Sequence, residues 1–406
     1  MDKKRLPIYL VLGLFVVAIF GLIMAHEQNS SDFPQHIGWA KEYATTGYLY
    51  KIPHTLFAKL VVIIRALLPA NILVRISPLV KQVFDLKSYE ISAWLLMVMS
   101  YLATAFILLN RLIKEWKNWQ RKSQLWLAGF AVLVLLLVGP IFIFTFPERL
   151  YLGYFSPNPF HNPTYILFRP FVLIVFFGVT DNFIAKWNWK EAIVIAFAIM
   201  CATLAKPSFT LTFLPAIGLV FLFFHIKKIK QINWLYFIIP LGLTSLILLA
   251  SQFYINYSGD RGDTLILAPF QALLNYVPNI FLILVFCLLS ILFPLLVSLI
   301  FYKDNVKSVS FQLVWMNFFV ALGMGYLIGE KINLRSNNFA WGVMIAVFLL
   351  FVEAMIIFGK EINKNGFKAI FKSWKMSLTS AVLFLHLVCG VVYFVFCLTR
   401  VTPLVV

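Results

Sequence analysis

Apolar runs about as long as a bilayer is thick recur along almost the whole of this chain, and they leave it one architecture. A helix needs about 20 residues to cross ~30 Å of hydrocarbon, where its backbone polar groups can bond only to one another. Eleven runs approach that length, at about 7–25, 89–109, 125–145, 164–180, 191–205, 209–226, 234–251, 277–302, 310–328, 341–358 and 377–399. They are too long and too evenly apolar for the alternating ten-residue strands of a membrane barrel. With 62% hydrophobic and 12% charged residues, the 406-residue chain cannot bury its apolar surface in one water-soluble core. The sequence predicts an all-α polytopic membrane protein of about eleven transmembrane helices, a single integral-membrane domain over 1–406 with no separate soluble domain.

Charge sets the expected orientation. If the N-terminus is cytoplasmic, 20 of the 34 basic residues fall in inner segments, among them Lys3–Arg5, Arg111–Lys122 and Lys360–Lys375. Seven more lie in a first outer loop long enough to weaken the rule. The bias places the N-terminus in the cytoplasm and the C-terminus outside it. A formal charge of +18 spread in this way is topogenic and calls for no nucleic acid. Nine of the 16 acids lie on or near the outer side instead. The four cysteines all fall in hydrophobic runs, without a CxxC pair, a Cys/His metal pattern or an outer disulfide framework. The first run is long for a cleaved signal core and reads as a retained anchor.

The first outer loop, 26–88, holds Glu27, Asp32, His36 and His54. Within it Thr55–Leu68 is apolar, broken by Lys59 and Arg65 and stopped by Pro69, the pattern of a short interfacial helix. A second short helix is expected over Pro78–Lys87. Three further outer connections follow, one dense in proline (146–163), one around Tyr257–Asp263, and one from Glu330 to Trp341. All four could meet over one cavity. On the inner side Lys360–Lys375 could rest on anionic lipid through its five lysines, although positive-inside topology explains it more simply.

Asp32 is the leading catalytic candidate, a carboxylate seven residues past the first run and able to take a proton from an acceptor hydroxyl. Glu27 competes with it, and either acid also reads as a helix cap or a partner for a loop cation. His161 and Asn162 could bond sugar or phosphate oxygens, but Asn-Pro and His-Asn pairs equally shape turns. Lys206 and Arg335, with Arg169 and Lys331 behind them, could hold a phosphate; snorkelling to lipid headgroups is the plain alternative. Glu330 reads as a partner for one of those cations. Asp260 and Asp263, separated by Arg261 and Gly262, do not make an Asp-x-Asp site, so a divalent metal is unsupported and no cofactor is implied. Glu353, alone within a run, suggests either transport or a buried polar pair.

Four short motifs carry a family resemblance: Asp32-Phe33-Pro34-Gln35-His36 with Pro53-His54-Thr55; Asn158-Pro159-Phe160-His161-Asn162-Pro163-Thr164; Ala205-Lys206-Pro207-Ser208; and Asn338-Phe339-Ala340-Trp341-Gly342. With the topology they make the chain resemble bacterial members of the GT-C superfamily, membrane glycosyltransferases that use polyprenyl-phosphate-linked sugars. Phe160 stands where the related bacterial element has Trp. The resemblance implies a sugar donor on a polyprenyl phosphate, a hydroxyl acceptor on a glycan, lipid or protein, and residence in a bacterial cytoplasmic membrane among its lipids. It gives Asp32 the role of base, and by the same likeness His36, His54, His161, Asn162, Lys206, Glu330, Arg335 and Asn338 become substrate-binding candidates. A lipid or solute transporter or flippase competes with this reading, and an assembly factor on the same scaffold is a third.

Overall fold

The computed structural model describes residues 5–28, 31–49, 54–68, 87–116, 122–143, 150–183, 188–226, 233–257 and 263–399. In chain order α1 (Leu6–Glu27) leads to two short helices of the first connection, α2 (Phe33–Thr46) and α3 (Leu56–Leu67). Then come α4 (Ser88–Glu115), α5 (Lys122–Leu137), α6 (Pro163–Asn182), α7 (Trp189–Ala205), α8 (Ser208–Ile226) and α9 (Thr244–Tyr257). The last part comprises β1 (Leu265–Leu267), α10 (Ile280–Ser290), α11 (Leu292–Ile300), α12 (Val309–Leu327), β2 (Ile328–Glu330), α13 (Ala340–Asn365) and α14 (Trp374–Thr399). The expected helix at 78–87 lies almost wholly outside the described residues.

Among the described residues seven helices are long and apolar enough to cross a membrane, or eight if α10 and α11 count as one bent span. The protein is an all-α polytopic membrane protein with fewer full-length spans than the eleven expected. Three of the expected runs are shorter helices. α5 has 16 residues and α7 has 17, and the apolar part of α8 is Ser208–Phe224. At ~1.5 Å per residue such helices rise about 25 Å, less than the hydrocarbon thickness.

Prolines cut two of the runs. The run at 125–145 stops as helix at Leu137 because Pro140 disfavours helical backbone before it, and residues 138–143 continue without helix. The run at 277–302 bends by 65° between α10 and α11. Pro294 removes the amide that would bond Ser290 and its ring crowds that carbonyl, which puts the break at Ile291. Backbone freed inside a membrane protein must find partners. Here the two breaks face each other: Ile141 N–H donates to Leu289 O (3.2 Å) and Gly139 N–H to His386 O (3.1 Å). His386 completes the seam, its Nε2 accepting from Phe293 N–H (3.2 Å) while Nδ1 bonds Gly139 O (2.6 Å).

α13 is apolar around its circumference and buried nearly throughout, so it is the central post. It packs on α8, α11 and α12, while α4 links α1 to α6. α2 and α3 lie on each other and on α4, and α3 also touches α6 and α7, which draws the first connection over that end of the bundle. α3 falls where the expected interfacial helix does. β1 and β2 pair antiparallel, with Leu265 opposite Glu330. The Asp263 carboxylate locks this hairpin-like tie by accepting from the amides of Thr264 (2.8 Å), Ile332 (2.8 Å) and Asn333 (3.0 Å).

The seam also constrains α14. A Cβ on Gly390 would strike the carbonyl oxygen of Leu137, a backbone atom that cannot rotate away. Gly390→Ala is therefore expected to destabilise the protein by about 1–3 kcal/mol. Gly38→Ala, at an exposed helical position with nothing within 4 Å, should leave stability unchanged or slightly raised. Thermal unfolding in detergent measures both, and equal Tm values would contradict the packing assigned to Gly390.

Candidate active site

Asn162 joins the first connection to the end of α7. It is the N-cap of α6: its Oδ1 accepts from Tyr165 N–H (2.9 Å) and from Thr164 Oγ1 (2.8 Å). The same oxygen receives the Lys206 ammonium at 3.4 Å, and Lys206 also reaches Thr164 Oγ1 at 3.3 Å. The other end of the amide, Nδ2, donates to Asp32 Oδ2 at 2.8 Å. Asn162 is thus both a turn-forming cap and a bridge between an acid and a cation 174 positions apart in sequence. Asp32 stands at the N-cap of α2 but makes no capping bond, so its carboxylate is committed to Asn162.

Lys206 is buried, and among the described residues no carboxylate lies at ion-pair distance from it. Its remaining neighbour is the face of Trp341, 4.1 Å from ammonium to ring centre. Burial pulls its pKa down to about 7, against the upward pull of the Asp32 charge. Beside it His36 and His54 set their rings 5.4 Å apart, with Trp39 edge-on to both. Burial and the Lys206 charge hold both imidazoles below their ordinary range. They are hydrogen-bonding groups here, not cations.

Two cavities meet at Trp341. One, about 240 Å³, is lined by His54, Lys206, Gln252, Tyr257, Glu330 and Asn338 among apolar side chains. The other, about 180 Å³, is mainly apolar, with Tyr151, Met344, Tyr393 and Phe396 on its walls together with His161 and Arg335. The His161 ring lies 5.8 Å from that of Trp341. The structure therefore places His54, Lys206, Glu330 and Asn338 on one space and His161 and Arg335 on the other, while Asp32 and Asn162 adjoin the first through Lys206 and His36 lines neither. Asp32 is half-exposed and lines neither cavity directly.

Other candidates take different places. Glu27 is the last residue of α1 and fully buried; its charge acts on Tyr101, to which Arg169 Nη2 donates at 3.3 Å. It lines neither cavity. Glu330, expected to pair with a cation, accepts instead from Tyr257 Oη (2.7 Å) and Asn338 Nδ2 (2.6 Å). Arg169 is buried inside α6, its guanidinium bonded to Asn158 Oδ1 (2.7 Å) and set against the rings of Tyr101, Tyr165 and Phe348. Glu353, midway along α13, accepts from Ser310 Oγ (2.7 Å), the buried polar pair of the two readings. Asp260, Arg261 and Gly262 lie outside the described residues, and among those described no three His, Cys, Asp or Glu side chains gather as metal ligands.

Thr164, Gln252, Tyr257 and Trp341 were not singled out from sequence as contributors. Thr164 and Trp341 lie within the motifs of the resemblance and Tyr257 in an outer connection, but one aromatic at the start of a membrane run resembles any interfacial anchor. No family model, no curated protein and no solved structure matches this chain.

The coupling across Asn162 is measurable without a substrate. Asp32→Asn removes the charge that supports protonation of Lys206, so the Lys206 midpoint should drop below about 7. Lysine-selective NMR on the detergent-solubilised protein reads this midpoint; an unchanged value would separate the two residues.

Proposed function

We propose that the chain is a GT-C-type glycosyltransferase that moves a sugar from a polyprenyl-phosphate carrier to a hydroxyl on a glycan, lipid or protein. The observation that carries this reading is Lys206: a buried cation without a carboxylate at ion-pair distance among the described residues, facing a cavity at the end of a membrane bundle. Burying such a charge unpaired is costly, and an anionic ligand offsets that cost. The adjoining apolar cavity suits the first isoprene units of a carrier, with Arg335 near the phosphate. A soluble phosphate ester would not need that second space.

In the proposed reaction the acceptor oxygen attacks the anomeric carbon as the bond from that carbon to the phosphate oxygen breaks. Asp32 takes the hydroxyl proton, entering from its half-exposed side, and Asn162 fixes the carboxylate through Nδ2. The electron pair of the broken bond leaves on polyprenyl phosphate, whose charge Lys206 and Arg335 stabilise. His36 and His54 offer neutral hydrogen-bonding groups to the sugar, His161 offers a further imidazole, and Glu330 with Asn338 offers paired groups to hydroxyls across the larger cavity. Glu27 is left a structural role. The distribution of basic residues supports a cytoplasmic N-terminus and an extracytoplasmic site and C-terminus, and the resemblance to bacterial GT-C enzymes adds residence in a bacterial cytoplasmic membrane.

The bent span α10–α11 favours a carrier or flippase as the second reading, because broken helices line many transport paths. Reconstituted protein that moves a lipid without forming a glycosidic product would support it.

Asp32→Asn is expected to abolish release of polyprenyl phosphate from a lipid-linked sugar while donor binding persists at a pH below the lowered Lys206 midpoint, where the ammonium keeps its charge. Full turnover by a well-folded variant would remove the base. Lys206→Ala and Arg335→Ala should each weaken polyprenyl-phosphate binding about tenfold or more, the worth of a charge-assisted hydrogen bond. Because Lys206 is charged below about 7 and neutral above it, binding should weaken as pH rises through that value. Equilibrium binding across about pH 6 to 9 reads the slope, and a flat profile in the wild type would exclude Lys206 as the phosphate ligand.

A further inference from the structure

We propose that the opposite end of the bundle carries a binding site for the headgroup of an anionic phospholipid. A hollow of about 900 Å³ opens between the end of α11, the end of α13 and the start of α14. Four lysines from two stretches of chain line it: Lys303 after α11, and Lys368, Lys372 and Lys375 in the link to α14 and its first turn. Two acids share the wall, and each has another engagement. Asp304 faces Lys364 at 3.9 Å, and Glu361 accepts from Asn365 Nδ2 at 3.1 Å. The hollow keeps an excess of positive charge.

Its floor is apolar, with Leu299, Ile300, Phe301 and Met376. Interleaved with the lysines, Phe367, Phe371 and Trp374 are 56%, 80% and 69% exposed. Large exposed aromatics beside lysines are the pattern of a segment seated at a bilayer interface, rings among the acyl chains and ammonium groups at the phosphates. Positive-inside topology asks only that lysines lie on this side of the membrane. It does not ask that four of them converge on one hollow with an apolar floor, and that convergence points to a ligand with a phosphate and a hydrocarbon tail. Trp341 and Glu361 are 20 residues apart on α13, so about 30 Å of helix separates this hollow from the Lys206 cavity. The site belongs to the other leaflet and to a resident lipid, and it is independent of the transfer reaction.

The test uses the full chain in phosphatidylcholine nanodiscs containing spin-labelled phosphatidylglycerol, and reads the motionally restricted fraction of the labelled lipid. The double variant Lys368→Gln/Lys372→Gln is compared with Lys190→Gln/Lys307→Gln, which removes the same charge from exposed positions that do not line the hollow. The first variant should lower the preference for phosphatidylglycerol over phosphatidylcholine by about tenfold, and the second should leave it near the wild-type value. Equal losses in both would reduce the effect to general surface potential and overturn the site. Displacement of the labelled lipid by inorganic phosphate at matched ionic strength would show a free-phosphate site and overturn the lipid assignment.

Discussion

The side chain of Asn158 holds the chain together where it is least regular. Its Nδ2 donates to Leu135 O (3.0 Å) and Val138 O (2.8 Å), the carbonyls left open where Pro140 ends α5, and its Oδ1 accepts from Arg169. Three residues earlier Phe155 N–H donates to Ser290 Oγ (3.0 Å), at the break before α11. The strand of irregular chain that runs to Asn162 is therefore pinned to both proline breaks. In a low-dielectric surrounding each such bond replaces an unsatisfied group that would cost several kcal/mol. The position of Asn162, and through it the approach of Asp32 to Lys206, follows from how the backbone is satisfied nearby.

The two buried cations next to this region are treated differently. Arg169 has two acceptors, Asn158 Oδ1 and Tyr101 Oη, and ring faces that suit a planar, weakly hydrated guanidinium, while its Nε is buried without a hydrogen bond. Lys206 has two long contacts and one aromatic face for a compact, strongly hydrated ammonium. Arg169 reads as part of the scaffold, because it lines neither cavity and its hydrogen bonds run to a neighbouring helix and the chain before α6. Lys206 faces a cavity instead, and burial lowers its pKa. The difference singles out one cation of the pair as the place where an anion would be stabilised.

Much of the fold was legible because hydrocarbon imposes a length and a composition. The helix over Leu56–Leu67 could be read from an apolar run too short to span and interrupted by Lys59 and Arg65. The excess in the span count came from treating apolar length as helix length. Pro140 and Pro294 were visible as breakers, but where the freed carbonyls and amides go is a long-range matter, settled by Asn158, Ser290 and His386. α2 carries no comparable apolar run and was not anticipated, and β1 with β2 offers only three residues each. At the site, Asp32, Asn162 and Lys206 were each visible as residue types in suggestive places. That the Asn162 amide joins the other two, 130 positions from Asp32, was not.

The central helix explains why polar chemistry gathers at the two ends of the molecule. α13 is packed on every side through most of its length, and a polar group in its middle would need a partner on another helix. Glu353 has one in Ser310, towards the end that carries the ion pairs of Glu115 with Arg111 (2.9 Å) and Lys360 (2.6 Å). At the other end Trp341, one residue into the helix, is wide enough to border two cavities and flat enough to face an ammonium. Its ring can contact an apolar chain on one side and a charged head on the other without leaving a polar atom stranded between them. An amphiphilic ligand lying across Trp341 would meet both kinds of wall at once, which a wholly polar or wholly apolar ligand could not do.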